Sequence, residues 1–378
     1  MKKILVLSPS NKGTIASCTA NIIKALLNTG NVEVFPVVLY KEDNGIVIFE
    51  HCKYIVDRTI IQDKNICFLK KIARLNEIKK EICPDITIST LVSVNTLNVL
   101  SNGRDIKIGV FHSPLEQTKN VSHLNYLLCS ISYRLLFRKL DYLYAVSETT
   151  KKDVERHTGC KVKLVYNIHN FDEINCKSKE PLTDEENKLF SKKVFLYVGH
   201  LYDSKGVRRL IISFARIKTT ANLVLIGGDA KGNIPDYYKK IARDLGISNR
   251  IYFLGHKDNP YKYMRHCSVL CLPSYSEGLP GVLIEALSLN KKVITTNSSL
   301  GVWEIMQCLE SYSERLLKPF ENELGFITSN SDDNDECINQ LVFAFERILH
   351  EDNNNKLPFN KSRFEANTLS KYFTLQQL

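Results

Sequence analysis

The chain has 378 residues, 44% of them hydrophobic and 24% charged, which excludes a disordered or fibrous protein and fits two or three globular domains. The net charge of +10 lies mostly before residue 176 and indicates an acidic partner, such as a phosphorylated small molecule, an anionic membrane surface or a nucleic acid. The 11 cysteines form no Cys-x-x-Cys pair, and no apolar run approaches the about 20 residues of a membrane span. We therefore expect a cytoplasmic protein with reduced thiols.

Short apolar runs and amphipathic helical patterns alternate along the first half of the chain. Strands are predicted at residues 4–7, 86–88, 106–111 and 142–146, and helices at residues 20–27, 69–82 and 149–157. Alternation of this kind predicts a mostly parallel, doubly wound α/β sheet.

A polar, proline-containing stretch between residues 170 and 193 interrupts this alternation and suggests a domain junction. The alternation then resumes, with strands predicted at residues 194–198, 223–226, 251–254, 269–272 and 293–296. The sequence therefore predicts two α/β domains of similar size, at residues 1–172 and 190–361.

Lys205 lies in the segment GHLYDSKG at residues 199–206, between a predicted strand and a predicted helix. Backbone N–H groups at the start of a helix favour an anion, and a lysine there is well placed to neutralise a phosphate. A surface lysine before an amphipathic helix is the alternative for this segment taken alone.

Two glutamates, Glu277 and Glu285, begin and end the segment EGLPGVLIE after the strand predicted at residues 269–272. Gly278 lets the backbone approach a ligand, and Pro280 suits the first turn of a helix. Glu285 has apolar neighbours, and a buried carboxylate needs hydrogen-bond donors, which a ribose diol or the protein backbone could supply.

Two further candidates follow strands predicted in the first domain. His112 comes directly after residues 106–111, where ligands bind in open α/β sheets, although a structural role for it stays open. Gly13 lies in a small, polar loop after the first strand that could approach a sugar or a phosphate. This loop lacks the Gly-x-Gly-x-x-Gly pattern of nicotinamide-dinucleotide sites.

Taken together and in this order, the segments resemble retaining glycosyltransferases of family 4, which have the GT-B fold. The resemblance is carried by residues 112–114, 145–148, 166–167, 171–172, 199–206 and 277–285. It implies two Rossmann-like domains, each with a doubly wound parallel sheet, that face each other across a cleft. The C-terminal domain would hold a nucleotide-diphosphate sugar and the N-terminal domain an acceptor. A last helix within residues 362–378 would pack back onto the N-terminal domain.

The resemblance also implies roles for residues of the donor domain. Lys205 would pair with the diphosphate and Glu285 would bind the ribose. The backbone at Gly278 and Leu279 would also reach the donor.

The catalytic residues that the resemblance implies are Glu277 and His112, which would contact the donor sugar near the reacting centre. Gly13 would line the diphosphate from the N-terminal domain. His200 stands where the family usually has an arginine, so it is a weaker candidate for a phosphate contact, and donor affinity could depend on pH.

Glycosyl transfer passes through an oxocarbenium-like state with a diphosphate leaving group, which Lys205 and a helix N-terminus would stabilise electrostatically. We therefore expect an enzyme that needs no metal or other cofactor. The base of the nucleotide stays open, and the family resemblance favours a UDP-sugar as the donor. The alternatives are a GT-B sugar-nucleotide 2-epimerase and an inert nucleotide-sugar-binding partner. A nucleic-acid partner is not expected, because the basic residues belong to no recognised nucleic-acid module.

Residues 124–140 form a strongly apolar stretch that ends in Arg134, Arg138 and Lys139. An amphipathic helix of this kind suits an anionic membrane surface, and a core helix with exposed charged ends is the alternative. We expect a glycan or lipid-linked acceptor in surface polysaccharide, lipopolysaccharide or capsule synthesis, with peripheral contact to the cytoplasmic face of the inner membrane.

Overall fold

The computed structural model describes residues 1–10, 14–40, 68–115, 123–229, 236–331, 335–351 and 356–365. The chain divides into two compact units of similar size. The N-terminal unit consists of Met1–Asn170 with Ser362–Leu378, and the C-terminal unit consists of Phe171–Lys361.

The N-terminal unit is built on a six-stranded parallel sheet. Its strands, in chain order, are β1 (Lys2–Ser10), β2 (Val32–Tyr40), β3 (Ile86–Thr90), β4 (Ile106–Phe111), β5 (Tyr142–Ala145) and β6 (Val162–Leu164). They lie in the order β2-β1-β3-β4-β5-β6, and each neighbouring pair is parallel. The order reverses between β1 and β3, so their carboxyl ends form a topological switch point, where ligands bind in open α/β sheets.

The described helices of this unit are α1 (Thr14–Leu27), α2 (Phe68–Ile82), α3 (Val92–Leu100), α4 (His123–Ile131) and α5 (Glu148–Thr158). The stretch at residues 124–140 is not one regular helix. After α4 the chain forms a π turn (Ser132–Leu136) and a 3-10 turn (Phe137–Lys139). These irregular turns bring the buried rings of Tyr133 and Phe137 onto Phe111, with ring centroids 5.4 and 5.2 Å away.

The C-terminal unit contains a seven-stranded sheet. Its strands are β7 (Val194–Val198), β8 (Asn222–Ile226), β9 (Ile251–Gly255), β10 (Val269–Leu272), β11 (Lys292–Thr296), β12 (Phe320–Asn322) and β13 (Gly325–Thr328). They lie in the order β12-β13-β11-β10-β7-β8-β9, and β12 is antiparallel to β13 while the other pairs are parallel. The switch point of this sheet lies between β7 and β10.

The described helices of the C-terminal unit are α6 (Phe171–Ser178), α7 (Asp184–Phe190), α8 (Val207–Arg216), α9 (Asp236–Asp244), α10 (Tyr261–His266), α11 (Gly281–Ser288), α12 (Leu300–Ile305) and α13 (Asp335–Leu349). As the sequence predicts, α8 follows the GHLYDSKG segment and α11 follows the loop that contains Glu277. The five inner strands β7, β8, β10, β11 and β13 are almost wholly buried, which suits short, apolar segments of sequence.

The stretch between residues 173 and 189, which lies between the two domains predicted from the sequence, belongs to the C-terminal unit. It contains most of α6 and α7, and Thr183 and Glu186 form a capping box that begins α7. The Asn259 side chain donates to the Lys177 carbonyl over 2.9 Å, and Lys262 lies 3.0 Å from Glu186. Polar residues beside a proline therefore begin a helix here.

The described end of the chain returns to the N-terminal unit. A 3-10 turn at Lys361–Phe364 places the Phe364 ring edge-on to Tyr166, with centroids 5.2 Å apart, and the His169 amide donates to the Phe364 carbonyl. Beyond residue 365, the helix predicted within residues 362–378 lies outside the described residues.

A buried ion pair stabilises the N-terminal unit. Lys79 Nζ in α2 lies 2.7 Å from Asp105 Oδ2, next to β4, and both side chains are at most 2% exposed. Burial lowers the pKa of Lys79 to about 8, while the Asp105 carboxylate opposes that effect.

We expect Asp105→Asn to lower the free energy of unfolding of the N-terminal unit by about 3–5 kcal/mol, because it leaves a buried ammonium without its counter-charge. Urea unfolding monitors this change. Glu77→Gln, which breaks the exposed Arg74–Glu77 pair, is the control and should cost less than about 1 kcal/mol. Equal effects of the two variants would contradict the prediction.

Candidate active site

The predicted donor residues of the C-terminal unit meet at the switch point of its sheet. Lys205 lies in the turn between β7 and α8, and Glu277 lies in the loop between β10 and α11. Lys205 Nζ is 2.8 Å from Glu277 Oε1, and the two side chains are 28% and 11% exposed. The residues that the family resemblance assigns to the diphosphate and to the donor sugar are therefore in direct contact.

Gly206 shapes the turn that presents Lys205. Its φ of +66° suits glycine, and it follows a 3-10 turn (Asp203–Lys205) at the start of α8. A Cβ atom on Gly206 would lie 1.9 Å from the Pro273 carbonyl oxygen. In addition, the Tyr275 amide donates to the Ser204 carbonyl over 2.9 Å. The Lys205 turn therefore packs directly on the loop that leads to Glu277.

Glu285 lies in α11, and its carboxylate accepts a hydrogen bond from the Tyr261 hydroxyl at the start of α10. Burial raises the pKa of Glu285 to about 7, and the bond from Tyr261 opposes that rise. A carboxylate with such a displaced pKa near the carboxyl edge of a parallel sheet is a candidate for a functional site. The Glu285 carboxyl thus contacts the neutral phenol of Tyr261, whereas the Glu277 carboxylate contacts the Lys205 ammonium.

The backbone at Gly278 and Leu279 precedes the first turn of α11. The Ser299 hydroxyl donates to the Gly278 carbonyl over 3.0 Å, and the Leu279 side chain is buried. In the part of the chain that the structure describes, neither amide N–H takes part in a hydrogen bond. Both amides can therefore donate a hydrogen bond to a ligand oxygen beside a helix N-terminus.

The His200 side chain is exposed and stacks on Tyr202, with ring centroids 5.1 Å apart and planes 13° from parallel. Its carbonyl accepts a hydrogen bond from the Tyr197 hydroxyl over 2.6 Å. His200 thus presents an aromatic face rather than the permanent cation of an arginine. Its role in donor binding stays a prediction.

His112 directly follows β4 in the N-terminal unit. Both ring nitrogens are buried, and neither has a hydrogen-bond partner among the described residues. Burial lowers the pKa of His112 to about 4, so the ring is neutral at physiological pH. Buried polar atoms without a partner indicate a place for a ligand or a water molecule. The other candidate of this unit, Gly13, lies outside the described residues.

Two residues at this edge, Gly227 and Tyr261, were not predicted from the sequence. A Cβ on Gly227 would lie 1.8 Å from the Gly199 carbonyl oxygen, so the loop after β8 packs tightly on the loop after β7. The Gly-Gly pair after the strand predicted at residues 223–226 was a usable signal for this contact. Tyr261 had no signal in the sequence, because its contact with Glu285 depends on how α10 and α11 pack.

Within the described ranges, no group of three or more His, Cys, Asp or Glu side chains is arranged to hold a metal ion. No helix within these ranges has both the length and the apolar character that crossing a membrane requires.

Residues 178–323, which include Lys205, Glu277 and Glu285, match the family described as glycosyl transferases group 1. The chain is 27% identical over 277 residues to an uncharacterized glycosyltransferase of Methanocaldococcus jannaschii, an alignment that covers 69% of this chain and 67% of that protein. A second relative is the N-acetylgalactosamine-N,N'-diacetylbacillosaminyl-diphospho-undecaprenol 4-alpha-N-acetylgalactosaminyltransferase of Campylobacter jejuni. It is 25% identical over 253 residues, which cover 66% of this chain and 62% of the relative.

Among solved structures, Anabaena HepE in complex with UDP and glucose superposes with a TM-score of 0.77 at 17% identity, over 100% of both chains. The lipopolysaccharide outer core galactosyltransferase WaaB superposes with a TM-score of 0.69 at 19% identity, over 99% of this chain and 100% of WaaB. The fold is GT-B. The prediction of two parallel-sheet α/β domains is confirmed, and the matches support the prediction that the chain is a glycosyltransferase enzyme.

The raised pKa of Glu285 predicts a pH-dependent stability. Because the folded-state pKa of about 7 lies above the ordinary glutamate pKa of 4.5, ionising Glu285 lowers the free energy of unfolding as the pH rises through this window. Glu285→Gln avoids that cost. We expect the free energy of unfolding of Glu285→Gln to equal that of wild type at pH 4.5 and to exceed it by about 1–3 kcal/mol at pH 8, since each pKa unit is worth about 1.4 kcal/mol.

Urea unfolding at several pH values measures this difference. Glu185→Gln, at an exposed position in α7, is the control and should give a flat difference over the same range. If Glu285→Gln is no more stable than wild type at pH 8, the carboxylate is not held in a desolvated setting.

Proposed function

We propose that the chain is a retaining glycosyltransferase of family 4 that transfers a sugar from a nucleotide-diphosphate sugar to a glycan or lipid-linked acceptor. A UDP-sugar is the first candidate donor. Surface polysaccharide, lipopolysaccharide or capsule synthesis is the setting that we propose. The observation that carries the proposal is the contact of Lys205 with Glu277 at the switch point between β7 and β10. Glu277 begins the nine-residue segment that ends in Glu285.

Lys205 and Glu285 would hold the nucleotide part of the donor. The Lys205 ammonium, presented at the start of α8, would neutralise the diphosphate as negative charge develops on the leaving group. Glu285, in its ionised form, would accept hydrogen bonds from the ribose hydroxyls. The amides of Gly278 and Leu279 would add two neutral donors for the diphosphate or the sugar. We propose that no metal or other cofactor takes part, and that Lys205, the start of α8 and these amides stabilise the diphosphate electrostatically.

Glu277 and His112 would act on the donor sugar. When the diphosphate replaces Glu277 as the partner of the Lys205 ammonium, the Glu277 carboxylate would become available to accept a hydrogen bond from a sugar hydroxyl. The neutral His112 ring can donate one hydrogen bond and accept another, which suits a sugar hydroxyl better than a phosphate. We keep His200 and Gly13 as secondary candidates for the diphosphate.

The names of similar proteins support the choice of donor and acceptor. One relative is named for a sugar linked to diphospho-undecaprenol, another is a lipopolysaccharide core biosynthesis glycosyltransferase, and the HepE structure contains UDP and glucose. Function on a shared fold depends on the site rather than on the fold, so these names are analogies that the next experiment tests.

A thermal-shift panel tests donor binding. We expect UDP and UDP-sugars to raise the melting temperature of wild type more than GDP, ADP or their sugars do, because a ligand of the folded state stabilises it by mass action. Lys205→Ala should remove most of that shift. Lys218→Ala, an exposed lysine before β8 at the opposite edge of the sheet, is the control and should keep it. Equal shifts in the two variants would remove Lys205 from the donor site, and no shift with any nucleotide would sink the proposed function.

The surface of α4 and the π turn supports an acceptor held at a membrane. Four apolar side chains on this segment, Leu127, Leu128, Ile131 and Leu135, are 45–64% exposed. Arg134 is exposed beside them, and Arg138 is exposed one turn further along the chain. Apolar side chains flanked by cations suit the interface of an anionic bilayer, into which such a segment inserts without crossing.

Vesicle flotation tests this membrane contact. We expect wild type to float with vesicles of phosphatidylcholine and phosphatidylglycerol, and to stay unbound with phosphatidylcholine alone. The double variant Leu128→Glu with Leu135→Glu should lose flotation, because each change places a carboxylate in the proposed contact. Leu317→Glu is the matched control, since Leu317 is 78% exposed in the C-terminal unit. Flotation of the double variant at the wild-type level would exclude this surface.

A further inference from the structure

Arg209 is a fully buried arginine in the first turn of α8, four residues after Lys205. No acidic side chain forms an ion pair with it among the described residues. Its guanidinium instead donates to the Pro273 carbonyl over 2.7 Å and to the Asn330 side-chain oxygen over 2.8 Å. The guanidinium carbon also lies 3.8 Å from the centre of the Tyr275 ring.

Burying a cation costs free energy unless its hydrogen bonds are satisfied, and an apolar side chain would fill the same space at less cost. The partners of Arg209 suggest what this cation does for the molecule. Pro273 and Tyr275 belong to the loop that leads from β10 to Glu277, and Asn330 follows β13. The two loops that Arg209 joins to α8 both lie at the carboxyl edge of the sheet.

A second set of bonds closes the network around Arg209. The Asn330 side chain donates to the Tyr275 carbonyl over 2.6 Å, and the Tyr275 amide donates to the Ser204 carbonyl, next to Lys205. One planar guanidinium thus fixes the loop that carries Glu277 relative to the turn that carries Lys205. A lysine could not reproduce this, because its single ammonium is a point donor rather than a rigid fork.

We propose that Arg209 is a positioning residue of the donor site, which sets the separation of Lys205 and Glu277 without touching the donor. This inference rests on the proposed function, because it assigns the two positioned residues to the diphosphate and to the sugar. Loss of Arg209 would release the Glu277 loop and leave Lys205 in its own turn. The position of the donor sugar would then be disturbed more than the binding of the nucleotide.

The experiment compares Arg209→Met and Arg209→Lys with Lys193→Met. Lys193 provides a matched control, because its ammonium donates to the carbonyl oxygens of Leu349 and Glu351 over 2.8 and 2.9 Å at the opposite edge of the same sheet. Each methionine variant therefore removes one cation that donates hydrogen bonds to backbone carbonyls. Arg209 does so at the carboxyl edge of the sheet, and Lys193 does so at the amino edge. Melting temperatures are recorded for all variants, and kinetics are measured well below the lowest one.

Two measurements separate positioning from general stability. Hydrogen exchange of the ligand-free protein reports on the loops, and we expect Arg209→Met to raise exchange in peptides that span residues 273–278 and 330–331. The second measurement compares the Kd for UDP with kcat for UDP release from UDP-glucose. We expect Arg209→Met to change the Kd by less than about threefold and to lower kcat by about 30- to 100-fold, the cost of a small misplacement of reacting groups.

Arg209→Lys should fall between wild type and Arg209→Met in kcat, and Lys193→Met should keep the wild-type kcat. Wild-type kcat in Arg209→Met, or parallel losses of kcat and UDP affinity in Arg209→Met and Lys193→Met, would overturn the proposal. If wild type binds neither UDP nor any other nucleotide of the panel, the proposed function fails instead. The exchange measurement then still decides whether Arg209 holds the Glu277 loop.

Discussion

The contact between Gly206 and the Pro273 carbonyl oxygen is the constraint on which the C-terminal site depends. Only a residue without a Cβ atom allows this approach, and it brings the turn after β7 against the loop after β10. Since β7 and β10 are neighbours at the point where the strand order reverses, the two loops border the crevice of the sheet. Lys205 and Glu277 meet because their loops are pressed together at this place.

The sequence was most informative where local pattern and burial agree. Strands buried on both faces, such as β7, β8 and β10, appear as continuous apolar runs, and their positions were predicted within a few residues. The start of α8 was equally clear, because the turn before it contains a lysine and a glycine. Residues 124–140 were harder, since an apolar stretch does not reveal where a helix changes to a π turn to fit buried rings.

The rest of the site depends on contacts between residues that are distant in the chain. Tyr261 and Glu285 are on different helices, and Arg209 binds loops that follow β10 and β13. No spacing in a single sequence encodes such pairs, because they arise only when the sheet brings its carboxyl-edge loops together. Sequence reasoning therefore predicted the residue types that a donor site would need, and the structure shows which groups contact them.

The setting of Glu285 has a consequence for the energetics of any ligand that requires its ionised form. With a pKa of about 7, this carboxyl is protonated in part of the molecules at neutral pH. If a ligand binds only the ionised carboxylate, the molecules in which Glu285 is protonated must release that proton to the buffer on binding. The heat measured on binding would then include the ionisation enthalpy of the buffer, so its value in phosphate and in Tris would differ although the complex formed is the same.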